Sequence, residues 1–279
     1  MSSGPTLAHR RAWADLSEAA GYERLVGYPP DGATRSARRF GGCVACPTGR
    51  RAGFFNPILI LKAATTIDLR EAVEWMRDQG SPLSLRIRDD LETEALRAVA
   101  SELGLERASW VEPAMVMWPL RSGGASLPAG LSIEAATPRS MDGFYAASSA
   151  GFFDGGRAGV EFMRDLFPKD IAADPDVRLF GAVLDGDPVA SSVAIRSGLV
   201  VGIYSVGTAE RARRRGIATA MTWAAVHAGR QWGCAAATLQ ASAMGEPVYR
   251  RMGFDTVARY VTWEEPRPEA APSPQADAG

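Results

Sequence analysis

The sequence predicts a mixed α/β chain (α+β, with a mixed sheet) folded as two domains. Three observations carry this. Short apolar runs of strand length alternate along the whole chain with stretches of helical period. The 279 residues are long for one domain and comfortable for two. One stretch, Arg121-Ser-Gly-Gly-Ala-Ser-Leu-Pro128, has the composition of a linker and splits the chain into a half of 9–120 and a half of 129–265.

Composition narrows the class. A hydrophobic content of 46% with 23% charged residues describes an ordinary globular protein. A net charge of −1 gives no overall attraction to nucleic acid or an anionic membrane. No apolar run approaches the ~20 residues of a membrane span. The N-terminus lacks the apolar core of a signal peptide, so a cytoplasmic location is expected.

Residues 1–8 are small and polar and read as disordered. Arg10 to Leu25 has helical spacing, and Pro29-Pro30-Asp31-Gly32 breaks the chain. Phe40 to Ala45 and Ile58 to Leu61 read as strands. Ile67 to Gln79 reads as a helix stopped by Gly80. Leu83 to Ile87 alternates as a strand, and Asp89-Asp90 are the expected cap of a helix running to Gly104. Val111 to Leu120 is the last strand before the linker.

In the second half, Leu131 to Ala135 reads as an edge strand, followed by a helix from Pro138 to about Ala150. Gly151-Phe-Phe-Asp-Gly-Gly156 reads as a flexible aromatic loop and Gly159 to Phe167 as a further helix. Val177 to Leu184 and Pro188 to Ser197 form a hairpin across Asp185-Gly186-Asp187. Leu199 to Val206 is a buried strand and Ile217 to Arg230 a helix. Then come a strand from Thr238 to Ser242 and a short helix from Met244 to Arg251. The tail from Pro266 to Gly279 has no core pattern and reads as disordered.

The three cysteines leave a metal without a ligand set. Cys43-x-x-Cys46 could be half a zinc site or a redox pair, but Cys234, His9 and His227 do not form a second close pair, and the motif runs into Pro47-Thr-Gly instead of opening a helix. Two reduced thiols in a loop or strand end is the preferred reading, with no metal.

The chemistry gathers at Val206 to Ala220. Strand, glycine-containing turn and helix make a general site for phosphate. The first helix amides have no intrahelical partner, and the helix dipole places partial positive charge there. Gly216 removes a Cβ where a ligand approaches backbone. Arg211, Arg213, Arg214 and Arg215 add charge. From the arginines alone, a solvated cationic loop is an equal reading.

The spacing is more specific. Arg213-x-x-Gly216-x-Ala218 resembles the acyl-CoA pyrophosphate loop of the GCN5-related N-acetyltransferases (GNAT). Tyr249-Arg-Arg-Met-Gly-Phe254 resembles that family's late Tyr-x-x-x-Gly-Phe signature. The resemblance spans roughly Pro128 to Trp263. The first half, which has no such loop, resembles the degenerate N-terminal domain of tandem members, the alternatives being an unrelated α/β domain or an N-terminal extension wrapped on the second half. The resemblance implies two tandem domains of the acyl-CoA N-acyltransferase fold, with acetyl-CoA as co-substrate in an opening between two parallel strands. It also implies an acetyl transfer to an amine by direct attack on the thioester.

The cofactor-binding residues it implies are Val206, Thr208, Arg213, Arg214, Arg215, Gly216, Ile217, Ala218, Thr219 and Ser242. The Val206 amide is the oxyanion donor, and Ser242 stands where the family often has Asn. Tyr249 matches the tyrosine that acts as general acid on the departing sulfur, or it is a core tyrosine. Phe152, Phe153 and Glu161 are candidates for the acceptor side. Phe152, Phe153 and Phe162 could equally be core. As general base, Glu161, Asp154 and Glu246 are candidates on chain order alone, each also readable as a surface carboxylate. The acceptor is a small-molecule amine or an amine of a polypeptide. Neither nucleic acid nor membrane is expected as a partner, and a monomer is favoured over a dimer. The alternative function is a non-catalytic acyl-CoA-binding sensor or scaffold.

Overall fold

The computed structural model describes residues 4–153 and 155–266. The first elements are α1 (Leu7–Val26), β1 (Arg38–Phe40), β2 (Cys43–Ala45), β3 (Pro57–Ile60), α2 (Thr66–Asp78), β4 (Ser84–Arg88), α3 (Glu94–Glu102) and β5 (Glu106–Met117). Then follow β6 (Leu131–Ala135), α4 (Met141–Phe153), α5 (Arg157–Leu166), β7 (Val177–Leu184), β8 (Asp187–Ser197) and β9 (Val200–Thr208). The last are α6 (Ile217–Gln231), β10 (Ala236–Gln240), α7 (Glu246–Met252) and β11 (Asp255–Glu264). No described helix is long and apolar enough to cross a membrane.

The described residues fall into two compact units. One contains 18–113 and 258–266, the other 4–17 and 114–257. The division therefore does not fall at 121–128. Ala114 to Met117 of β5 pair with β10, so this stretch connects two strands of the same unit, β5 and β6. Each unit is completed by a strand from the other half of the chain.

In the unit of 18–113 and 258–266 the strand order is β1-β2-β3-β4-β11. β3 and β4 are parallel, joined through α2, and β11 runs antiparallel to β4 with Val261 opposite Ile87. Ile58, Ile60, Leu69, Val73, Met76, Leu85, Ile87 and Trp263 form its core. β4 alternates in sequence, yet both its faces are buried. Arg86 lies inside, 2.7 Å from Glu18 and 2.5 Å from Glu112.

In the other unit the order is β5-β10-β9-β8-β7-β6. β7 and β8 form the hairpin, with Leu184 opposite Asp187 and positive φ at Asp185 and Gly186, as a two-residue turn requires. β9 and β10 are parallel, joined through α6. Met115, Met117, Val201, Ile203, Trp223, Val226, Leu239 and Phe254 pack together, with α6 and α7 over the sheet.

Several expected boundaries move for local reasons. α1 begins at Leu7, inside the stretch expected to be disordered; residues 1–3 and the tail from 267 lie outside the described residues. Asp89-Asp90 form a 3-10 turn, and Thr93 caps α3 instead, its hydroxyl accepting the Leu96 amide at 3.2 Å. Gly151, Phe152 and Phe153 belong to α4. β10 ends at Gln240, short of Ser242.

Candidate functional site

The site is built where β9 runs on past the end of β10. Pairing with β10 runs from Val200 opposite Ala236 to Ile203 opposite Leu239, but β9 continues to Thr208 while β10 stops at Gln240. The two parallel strands part beyond this point. Against β8 the register also shifts. Tyr204 lies opposite Val193 and Gly207 opposite Ser191, so Ser205 and Val206 stand against Ser192 alone. This is a β-bulge, and Ser205 has a φ of +50°, which a residue with a Cβ rarely adopts.

The bulge is held from below. Ser191, fully buried, donates to the Ser205 carbonyl at 3.1 Å, and its Oγ lies 3.1 Å from that of buried Ser148 on α4. α4 comes close to β9 through a pair of glycines: a Cβ on Gly151 would meet the Gly207 backbone, and one on Gly207 would meet the Phe152 ring. Phe152 thus lies over β9 beside the bulge. At the diverging strand ends, the buried Thr208 Oγ1 and Gln240 Nε2 have no partner among the described residues.

After β9 the chain makes one 3-10 turn, Glu210–Ala212, and enters α6. Arg214 (φ +59°) and Gly216 (φ +78°) both take left-handed backbone. Gly216 is the N-cap residue, and no side chain caps the helix. The first helical bond runs from the Ala220 amide to the Gly216 carbonyl at 3.0 Å, so the amides of Ile217, Ala218 and Thr219 precede the ladder. A Cβ at Gly216 would meet no protein atom within 4 Å. The glycine is required by its φ, and the space in front of it is open.

The arginines divide. Arg211 is drawn away by Asp187, at 2.7 Å, and by the Pro188 carbonyl, so it does not add charge to the amides. Arg213 turns back, its Nε donating to the Thr208 carbonyl at 3.2 Å. Arg214 and Arg215 are exposed and have no carboxylate partner among the described residues. Open amides, two unneutralised guanidinium groups and an open approach fit a diphosphate group.

Tyr249 lies on α7 with its ring buried against Phe254, centroids 6.0 Å apart. Thr222 of α6 lies near its hydroxyl, and the Thr222 side chain donates to the Ala218 carbonyl at 2.8 Å. Burial pushes the phenol up to about 12, so it keeps its proton at neutral pH. Ser242 is engaged at the start of α7, where its Oγ accepts the Gly245 amide at 3.1 Å.

The acceptor-side and base candidates are not brought together. Phe153 packs at a tilt against Phe162, centroids 5.0 Å apart, between α4 and α5, away from Phe152's position over Gly207. Glu161 pairs with Arg157 at 2.8 Å on the exposed face of α5. Glu246 pairs with Arg250 at 2.6 Å and accepts from Thr256 at 2.8 Å. Asp154 lies outside the described residues. Cys43, Cys46 and Cys234 are free and buried, and burial pushes the Cys43 thiol up to about 12, which makes it inert. Ser148, Ser191 and Thr222 belong to no motif of the sequence. The signal for Ser191 was present: two hydroxyls inside the apolar run Val189-Ala-Ser-Ser-Val193 need buried partners.

Residues 145–254 match the model of the acetyltransferase (GNAT) family. Comparison with curated protein sequences gives no match. Among solved structures, the chain is similar to a GCN5-related N-acetyltransferase from Kribbella flavida, with a TM-score of 0.64 and 19% identity over 91% of this chain and 95% of that one. It is similar to a GCN5-related N-acetyltransferase from Sphaerobacter thermophilus, with a TM-score of 0.56 and 19% identity over 97% and 96% of the two chains. A tandem GNAT protein from the clavulanic acid biosynthesis pathway gives a TM-score of 0.54 at 14% identity over 81% and 79%. At such identities the likeness shows the fold.

Proposed function

We propose that this chain, whose residues 145–254 match the model of the acetyltransferase (GNAT) family, transfers an acetyl group from acetyl-CoA to an amine. The observation that carries the proposal is the start of α6: uncapped amides behind a left-handed Gly216, directly after a bulged strand. Acetyl-CoA supplies the activated thioester. The chain's own groups hold and polarise it. The amides of Ile217, Ala218 and Thr219, with Arg214 and Arg215 beside them, hold the pyrophosphate, and Arg213 fixes the loop to Thr208. The Val206 amide, turned by the bulge, donates to the carbonyl oxygen as it gains charge. Tyr249 protonates the departing sulfur. With a thiol leaving group of pKa near ~8.5 that help is moderate. The acceptor is an amine of a small molecule or a polypeptide, entering over Phe152. The reading takes the protein as a cytoplasmic monomer.

For the unit of 18–113 and 258–266 the reading is a degenerate GNAT-like domain without a cofactor loop. The parallel crossover β3–α2–β4 supports it, as does a helix start closed by its own side chains.

Isothermal titration of acetyl-CoA and of desulfo-CoA into the full chain tests the reading, followed by a free-thiol-release screen of amines. One site per chain with micromolar affinity, then acceptor-dependent thiol release, is the expected result. Absence of binding by either ligand overturns it. Binding without turnover on any amine favours a sensor over an enzyme.

A further inference from the structure

The peptide between Ser205 and Val206 carries a polar group at each end. Under the acetyl-transfer reading its N–H, on Val206, faces the thioester carbonyl. Its C=O, on Ser205, accepts from the Ser191 hydroxyl of β8 at 3.1 Å. The bond is trans, as it almost always is between residues other than proline. In a planar trans peptide the C=O and the N–H point in opposite directions. A hydrogen bond that fixes the Ser205 carbonyl therefore fixes the Val206 amide as well, directed away from Ser191. It also draws charge toward the carbonyl oxygen, which makes the N–H a stronger donor.

The ordinary ladder does not hold this peptide. The register shift takes Ser205 and Val206 out of regular pairing with β8, and β10 has ended at Gln240. Ser205 has a φ of +50°, a conformation that persists only where the surroundings impose it. Ser191 supplies such a constraint. It is fully buried, with Ser148 Oγ of α4 at 3.1 Å, and Ser148 donates to Met163 Sδ of α5 at 3.2 Å. The next residue, Ser192, is equally buried but faces the other side of the sheet, where it donates to the Met221 carbonyl of α6 at 2.9 Å. Two adjacent serines of one strand thus hold two different carbonyls, and only that of Ser205 shares a peptide with the Val206 amide.

We propose that Ser191 is a positioning residue for acetyl transfer: by holding the Ser205 carbonyl it aims the Val206 amide at the thioester oxygen. The inference rests on the acetyl-CoA reading and deepens it. Ser191 acts through the peptide and not by contact with substrate. Its effect is largest in the transition state, where that oxygen gains charge.

The test compares Ser191→Ala with Ser192→Ala in the full chain. Each removes one buried hydroxyl and its bond to a backbone carbonyl, so a loss of stability is common to both. The readouts are CoA affinity by calorimetry, kcat with an amine found by thiol release, and the infrared carbonyl stretch of bound acetyl-CoA, isotope-labelled at the carbonyl. In the wild-type chain and in Ser192→Ala the bound carbonyl should absorb at a lower frequency than in free acetyl-CoA, because it accepts a hydrogen bond. In Ser191→Ala the band should return toward its free position and kcat should fall by about tenfold or more, with CoA affinity unchanged. Outright loss of an oxyanion donor, at about a hundredfold or more, sets the scale. The band needs no acceptor, so it decides the point even for a chain that binds acetyl-CoA without turning it over. If Ser191→Ala does not fold, Ser191→Cys, similar in shape but with a weak S–H donor, should show the same changes to a smaller degree. A band still shifted and an unchanged kcat in Ser191→Ala overturn this inference and leave acetyl transfer standing. So do equal losses in the two variants, or a wild-type band at its free position. Absence of acetyl-CoA binding by the wild-type chain overturns both.

Discussion

The two units each contain a parallel strand–helix–strand crossover, and the difference between them lies in how the helix begins. In β9–α6–β10 the N-cap is Gly216, no side chain reaches the first amides, and Arg214 and Arg215 stand beside them. In β3–α2–β4 the N-cap is Thr65. Its hydroxyl accepts the Asp68 amide at 3.1 Å, while the Asp68 carboxylate accepts the Thr65 amide at 2.8 Å and the Gly42 amide at 3.3 Å. This capping box satisfies the helix start internally and places a negative charge on it. The same crossover is thus open to an anion in one unit and closed to it in the other. The choice is made by a few residues before each helix, with no change of topology.

The comparison breaks most severely if α6 is given the chemistry of α2. Gly216→Glu puts a carboxylate beside the open amides. A side chain there meets no protein atom, and the left-handed backbone costs about 1 kcal/mol, so the fold survives. Acetyl-CoA affinity should fall by about a hundredfold or more, as expected for the loss of two charge-assisted contacts. Calorimetry alongside a thermal melt checks this. Unchanged affinity in a folded variant would sink the assignment of α6 as the phosphate site.

Next in size is Tyr249→Phe, which separates binding from chemistry at the intact site. The expected outcome is a fall in kcat of about tenfold to a hundredfold with CoA affinity unchanged. Since burial pushes the phenol up to about 12, its proton is lost only as the pH approaches that value. The wild-type rate should therefore show no decline from this group near neutrality. An equal kcat in the variant would make Tyr249 a core residue.

Thr65→Ala approaches the contrast from the other side. Removing the cap should lower stability by about 1 kcal/mol in urea unfolding. It should not create a second CoA site, because Asp68 remains at the helix start. Two-site binding in this variant would mean that the cap alone keeps the first unit silent.

The loop was legible because its requirements are local: a left-handed residue before a helix selects glycine, and Arg213, Gly216 and Ala218 keep a fixed spacing. The hairpin at Asp185-Gly186 was legible for the same reason. The bulge was not, since Ser205 and Val206 are ordinary strand residues whose register is set by β8 and by Ser191 across the sheet. Nor was the placement of Arg121 to Leu127. Gly, Ser and Ala read as a flexible connector, whereas Gly123 lies on Trp223 because its lack of a side chain permits close contact. Phe152 and Phe153, adjacent in sequence, face different neighbours, Gly207 and Phe162, once α4 extends to include both. β11 pairs with β4, which lies far away in the sequence, so its partner is set by tertiary structure alone.

The smallest effect expected concerns the charge on the capping box. Hydrogen bonds from the Thr65 amide, and then from the Gly42 amide, hold the Asp68 carboxyl below its ordinary value of 3.8. A carboxyl depressed in the folded state contributes stability that is present above its unfolded pKa and lost as the pH falls through its folded one. The loss therefore begins near pH 3.8 and continues below it. Asp31 also titrates in acid, held low by its hydrogen bond to Arg35, so the wild-type curve alone does not isolate Asp68. Asp68→Asn does. Its side-chain oxygen can still accept a hydrogen bond but carries no charge. Urea midpoints for the two proteins, measured between about pH 2.5 and 6, should converge as the pH falls below 4 and differ by a constant amount above it. Parallel curves throughout would mean that the Asp68 charge adds nothing to the α2 start. The closed helix would then differ from the open one by hydrogen bonding alone.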